Sequence, residues 1–198
     1  MMKNDGRKGF SIDGCCPVTF EFSWDLYSRQ HSGGLISGCF SKQDSTVDCD
    51  ASAYLIRNND GKKTVTEEVT YDHPTACGGA VRHRGDNIES ENQTNTEKIE
   101  VNFAGVSAEI DEIIFTLDLF KAKQKQLGLG KFERIYVNLY KSEGDELLQS
   151  FSVSGVGGKA IRAGMLKKCG DQWEYIPHPE NLKGALSRDD LRAQLVQE

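Results

Sequence analysis

Two stretches hold the residue types that could do chemistry. One is Asp48-Cys49-Asp50-Ala51-Ser52; the other is the polar run from Gly85-Asp86-Asn87 through Glu91 and Asn95 to Glu97. Each sets short oxygen-bearing side chains beside apolar segments that read as strands. Carboxylate and amide oxygens converging from loops are what a hard cation such as calcium takes, roughly six to eight at a time. Asp48 and Asp50 stand two residues apart, so an extended chain points both carboxylates to one side. There they could share a cation, or Asp48 could simply cap the loop, the commoner use of a bare acidic pair. The spacing is not that of an EF-hand: glycine is missing at its sixth position and glutamate at its twelfth.

Other chemistry is thinly represented. His31, His73, His83 and His178 form no HExxH or Ser-His pattern and are expected on the surface or in turns. Gly155-Val156-Gly157-Gly158 and Gly128-Leu129-Gly130-Lys131 resemble phosphate loops only superficially. Lys131 is followed by Phe132, not Ser or Thr, and neither run joins a strand to a helix, so both are expected turns. The six cysteines, at positions 15, 16, 39, 49, 77 and 169, include no CxxC and no Cys-His zinc spacing. Cys15 and Cys16 are adjacent and would bridge only with strain. Trp24 and Trp173 are expected as core or rim aromatics.

Composition narrows the partners. The chain has 198 residues, 37% hydrophobic and 27% charged, with a net charge of −6. That describes a foldable, water-soluble protein without the basic stripe a nucleic-acid surface needs. Residues 1 to 16 carry Lys3, Asp5, Arg7, Lys8 and Asp13 where an export signal has an apolar stretch. No apolar run approaches the roughly 18 residues of a membrane helix, so no membrane insertion is expected. A cytoplasmic location with reduced thiols follows as the expectation.

The elements that must position the two runs are mostly strands. Val18, Phe20, Phe22 and Trp24 alternate with polar residues, as do Ile99, Val101 and Phe103. Asn58-Asn59-Asp60-Gly61 predicts a hairpin turn between strands at Ala51–Arg57 and Thr64–Tyr71, because Asn and Gly accept positive φ. Ser107 to Glu112 reads as one helical turn capped by Ser107. The apolar run Ile113 to Phe120 predicts a strand central in its sheet. Further strands are expected at Phe132–Tyr140, Leu147–Val153, Ala160–Lys168 and Gln172–Ile176. Ser187-Arg188-Asp189-Asp190, then Leu191 and Leu195, predicts a capped C-terminal helix. The fold class is therefore all-β: an antiparallel β-sandwich of about nine or ten strands with a short C-terminal helix. Residues 1–16 read as a flexible arm, 17–178 as the sandwich and 179–198 as a helical extension.

Gly85-Asp86-Asn87, followed without a gap by Glu97 and Ile99, resembles the signature of the TerD family of tellurium-resistance and stress-response proteins, approximately GDNxTGxGxGDDExIxV. Asp48-Cys49-Asp50-Ala51-Ser52 resembles that family's DxDAS, and Trp24-Asp25 its early WD. The resemblance spans roughly residues 17 to 176. It implies a β-sandwich that binds calcium through Asp25, Asp48, Asp50, Asp86, Asn87, Glu91, Asn95 and Glu97. It further implies a non-enzymatic module that works by binding protein partners of a stress-response complex. Departures are local: where the family has the acidic run GDGDDE, Gln93, Asn95 and Thr96 stand in for three carboxylates, and glycine is also missing at Ser90, Asn92 and Thr94. Fewer charged ligands imply weaker calcium binding or a lost site. The alternative is a metal-dependent phosphate-ester hydrolase, with two cations about 3.5–4 Å apart over the acidic cluster; the sequence offers it no clear base. A cyclic-nucleotide association attached to the family finds no basic phosphate cradle here.

Asp86 separates a turn from a ligand. Asn caps a turn about as well as Asp, at a cost of a few tenths of a kcal/mol, but removes a charge from a cation's ligand shell. Asp86→Asn is expected to leave the metal-free melting temperature nearly unchanged and to lose most of the stabilisation by calcium. Wild-type behaviour in calcium would make Asp86 a turn residue.

Overall fold

Period-two alternation along the chain builds two antiparallel sheets that bury one face each against the other. The computed structural model describes residues 9–26, 49–85, 96–119, 129, 132–143 and 146–197, with the side chains of residues 25, 26, 132 and 133 excepted. The strands, in chain order, are β1 (Phe10–Ile12), β2 (Val18–Leu26), β3 (Asp50–Asn59), β4 (Lys62–Val69), β5 (Thr75–Ala76) and β6 (Val81–His83). They continue with β7 (Thr96–Val101), β8 (Glu112–Asp118), β9 (Phe132–Lys141), β10 (Glu146–Val153), β11 (Ala160–Cys169) and β12 (Gln172–Asn181). One α-helix, α1 (Arg188–Leu195), closes the described chain. The first sheet runs β1-β12-β11-β8-β3-β4 and the second β10-β9-β2-β7-β6-β5.

The sandwich interior is where the sequence alternation points. Phe20 and Phe22 of β2, Ile99 and Val101 of β7, and Val137 and Leu139 of β9 face Ala51, Ala53 and Leu55 of β3 and Phe115 and Leu117 of β8. Phe20 stacks on Phe115 across the two sheets, ring centroids 3.8 Å apart. Trp24 and Trp173 are both buried. The β3–β4 hairpin turns on Asp60 (φ 50°) and Gly61 (φ 87°), where the Asn58 side chain accepts the Gly61 N–H at 2.9 Å. Positive φ at both positions matches the strand twist, which is why Asp-Gly suits this turn.

β8 is buried at every residue. Its second face is covered by the chain after β12: Leu182, Ala185, Leu191 and Leu195 pack on Tyr54, Ile56, Ile114 and Ala160. The expected C-terminal helix therefore forms and serves as a lid on the outer face of the first sheet. Its start is a reciprocal cap, the Ser187 hydroxyl oxygen accepting the Asp190 N–H at 3.2 Å while Asp190 accepts the Leu186 N–H at 3.2 Å.

Three local expectations change. Residues 10–12, read as part of a flexible arm, form β1, because Phe10 and Ile12 alternate around Ser11 and Phe10 meets the edge of Tyr175 at 5.9 Å. Ser107 to Glu112 is not a helix: the Ile110 N–H bonds Ser107 C=O at 3.1 Å in a single turn, and Glu112 already belongs to β8. β12 continues past Ile176 through Pro177 and Pro179 to Asn181. β1 pairs only with Trp173–Tyr175, so both prolines lie where no described strand needs an N–H on that side.

Phe20 sits at 0% exposure between the sheets. Phe20→Ala is expected to cost about 3–5 kcal/mol of unfolding free energy, read as a lower denaturant midpoint with an unchanged slope. A loss below 1 kcal/mol would mean that the Phe20–Phe115 stack is not central to the core.

Candidate metal centre

Strand order brings the described ends of the two oxygen-rich runs to one end of the sandwich. β7 begins at Thr96 opposite Ser23, two residues before Asp25, near the end of β2. On its other side β6 ends at His83 opposite Ile99, and Arg84 N–H continues the ladder to Lys98 C=O at 2.9 Å. β3 begins at Asp50, paired with Asp118 at the end of β8. Residues 27–48 and 86–95 thus leave and rejoin the described chain at the same end.

Glu97 sits at the centre of that end. Its carboxyl is 2% exposed, and Oε2 accepts the backbone N–H of Ala51. This hydrogen bond crosses from the second sheet to the first. His83, also buried, places Nε2 3.4 Å from the same oxygen. The other ring nitrogen, Nδ1, accepts the Gly85 N–H at 3.2 Å. An accepting Nδ1 carries the lone pair, so in the neutral ring Nε2 bears the hydrogen and is the donor toward Glu97. Gly85, at φ 102°, adopts a backbone conformation that side chains disfavour. The remaining oxygen, Glu97 Oε1, is buried and has no hydrogen-bond partner among the described residues. A buried acceptor left without a donor costs about 1–3 kcal/mol, more when charged. An oxygen in that position fits a hard cation.

Asp50 lies on the other face of β3. Cys49, Ala51 and Ala53 face the sandwich interior, whereas Tyr54 and Ile56 face α1. Asp50 shares the parity of Tyr54, and its Oδ2 is 4.0 Å from a guanidinium nitrogen of Arg188. Arg188 also bonds Asp72 Oδ1 at 2.8 Å and stacks over the Tyr71 ring at 5.4 Å. Tyr54, fully buried here, has its phenol pushed up by burial and then by the Asp118 charge. On the same face Arg192 forks onto Glu68, at 2.5 and 2.7 Å.

Of the eight expected ligands, Glu97 and Asp50 are placed with their side chains, and they point to opposite sides of β3. Asp25 lies in β2 opposite Arg134, its backbone alone described. Asp48, Asp86, Asn87, Glu91 and Asn95 fall outside the described residues. Among the described residues no three His, Cys, Asp or Glu side chains are grouped closely enough to hold a metal ion. The expectation that all histidines are surface or turn residues fails at His83, which is buried because Val81 and His83 share the inward parity of β6. That alternation was the available signal. His73 and His178 are exposed, and Cys15, Cys16, Cys77 and Cys169 are free thiols. No helix among the described residues is long and apolar enough to cross a membrane.

Comparison with known proteins bears on the whole chain. The model of the TerD domain family matches residues 12–188. General stress protein 16U of Bacillus subtilis is 25% identical over 193 residues, covering 91% of this chain and 92% of that protein. Tellurium resistance protein TerD of Serratia marcescens is 22% identical over 149 residues, covering 74% and 78%. Among solved structures, a homologue of the telluride resistance protein TerD from Streptomyces coelicolor superposes with a TM-score of 0.61 at 12% identity, covering 85% of this chain and 90% of that one.

Asp72 reports on the Arg188 side of β3. The Thr70 hydroxyl and then Arg188 hold its carboxyl down at about 2, below the ordinary 3.8. A depressed carboxyl stabilises the fold fully above its unfolded value and loses that contribution as pH falls through the folded one. Asp72 is therefore expected to titrate near 2 by carboxyl NMR, with helix docking weakening between about pH 4 and 2. In Arg188→Gln the titration should move up toward the ordinary value; an unmoved titration would assign the depression to Thr70 alone.

Proposed function

The chain belongs to the TerD domain family, and from that premise and the setting of Glu97 we propose that it is a calcium-binding, non-enzymatic stress-resistance module. The observation that carries the reading is Glu97 Oε1, buried and unpartnered among the described residues. It lies at the end of the sandwich where the segments bearing Asp48, Asp86, Asn87, Glu91 and Asn95 are anchored, with Asp25 at the end of β2. These residues, with Glu97, are the ones that would hold the ion. A calcium ion held there would supply positive charge to the oxygens of these residues. Asp50 would join them only by giving up its place beside Arg188.

Two further observations favour binding over catalysis. Both ring nitrogens of His83, the described histidine beside Glu97, are engaged, by Gly85 and by Glu97. The relatives carry the names of resistance and stress proteins. The module would act in the cytoplasm, through protein partners docked on the calcium-binding end.

Calcium titration of chelator-stripped protein by calorimetry, beside magnesium, tests the reading. Calcium is expected to bind and to raise the melting temperature more than magnesium does, because calcium accepts more oxygen ligands in less exacting geometry. At a calcium concentration 100 times the dissociation constant the gain is about 2.7 kcal/mol. Glu97→Gln should abolish most of it. Equal melting in chelator and in millimolar calcium would remove the metal site.

A further inference from the structure

The contacts around Glu97 are unequal, and the inequality has a chemical meaning. Oε2 faces two nitrogen donors, the Ala51 N–H from the first sheet and His83 Nε2 at 3.4 Å. Oε1 faces none among the described residues. The His83 and Glu97 side chains are 0% and 2% exposed, so water does not blur the difference. The donor identity of Nε2 is set one step farther out, by the Gly85 N–H on Nδ1. Gly85 is itself the first residue of the Gly-Asp-Asn run that leads toward Asp86. Backbone geometry at the start of that loop thus reaches Glu97 through one imidazole.

We propose that His83 is a positioning residue that makes Glu97 a one-oxygen calcium ligand, reserving Oε2 for N–H donors and presenting Oε1 to the ion. The proposal rests on the calcium-binding reading above and goes beyond it by assigning the denticity and the residue that sets it. Calcium accepts carboxylates through one oxygen or two. Two-oxygen binding would bring the cation beside Oε2, against the partial positive charges of the Ala51 and His83 N–H groups. Binding through Oε1 avoids both and satisfies the oxygen that the protein leaves bare. Outer-shell partners of this kind change metal affinity by about 10- to 100-fold when removed.

The experiment uses the full chain with calcium as the probe, and three forms: wild type, His83→Leu and His83→Gln. The expected result is a tenfold or greater loss of calcium affinity in His83→Leu by calorimetry. Most of that affinity should be retained in His83→Gln, whose amide can still donate to Oε2. Infrared difference spectra of the wild type, with and without calcium and compared with Glu97→Gln, should show a carboxylate bound through one oxygen. In the metal-free wild type, ring 15N signals should report hydrogen on Nε2 and none on Nδ1. Wild-type affinity in His83→Leu, a two-oxygen carboxylate signature, or hydrogen on Nδ1 each overturns the positioning role while leaving calcium binding intact. A wild type that takes up no calcium, yet shows the Nε2–H ring, overturns the binding reading instead, and the positioning role for calcium with it. Should His83→Leu fail to fold, the wild-type spectra and His83→Gln decide the matter.

Discussion

A single buried carboxyl, Glu97, ties the two sheets at one end of this sandwich. Glu97 belongs to the second sheet, yet it accepts a backbone N–H from Ala51 of the first. In the interior the two sheets meet through packed apolar side chains, and at the exposed edge Glu67 of β4 accepts the Cys77 N–H that follows β5 at 3.0 Å. A buried hydrogen bond to a backbone amide does not slide, since breaking it strands both a donor and an acceptor away from water. The distance between β3 and β7 is therefore set most firmly at the end where residues 27–48 and 86–95 are anchored. His83 and Gly85 extend the same constraint to β6, so three strands from two sheets are referred to one oxygen.

The outer face of the first sheet is organised differently. There Leu191 and Leu195 supply apolar burial, while Arg188 and Arg192 reach Asp50, Asp72 and Glu68. The apolar part carries the larger share of the free energy, roughly 1.5–3 kcal/mol for each fully buried leucine. Partly exposed ion pairs contribute about 0–1 kcal/mol each, less in salt. What the arginines add is register: a helix held by two leucines alone could rotate or shift, whereas guanidinium groups on carboxylates of β3 and β4 and of the turn after β4 fix its position. The family match ends at residue 188, where α1 begins, so the body of this lid lies beyond the shared pattern.

Most of the fold was legible because strand alternation is a local signal. The runs at Val18–Trp24, Ile113–Phe120 and Phe132–Tyr140 gave β2, β8 and β9 nearly to their ends, and Asp60-Gly61 marked its hairpin through backbone physics alone. β1 was missed because three residues carry too little alternation to stand out from a polar arm; only their pairing with β12 makes them a strand. His83 was missed for a related reason. Its burial depends on the pairing of β6 with β7, and a three-residue strand advertises parity weakly. The opposed directions of Asp50 and Glu97 could not be read at all from two separate motifs, since neither reveals which face of β3 the other approaches.

That opposition follows from the pleat and constrains how the acidic runs can cooperate. Asp50 and Ala51 are neighbours in a strand, so when the Ala51 side chain enters the sandwich the Asp50 side chain must leave it. The carboxyl of Asp50 then lies near Arg188, and its charge is partly matched before any cation arrives. Charge for a cation on the Glu97 side has to come from residues outside β3. In the sequence, Gln93, Asn95 and Thr96 stand where the family's acidic run has carboxylates. Were calcium bound as proposed, each anionic oxygen that remains would carry a larger fraction of the field the ion requires. Orientation matters more as charge falls, because an amide dipole that points slightly astray loses most of its attraction while a carboxylate does not. If calcium binds as proposed, a sequence of this composition would depend on a rigidly presented buried carboxyl, and the double hold on Glu97 Oε2 is an anchor of that kind.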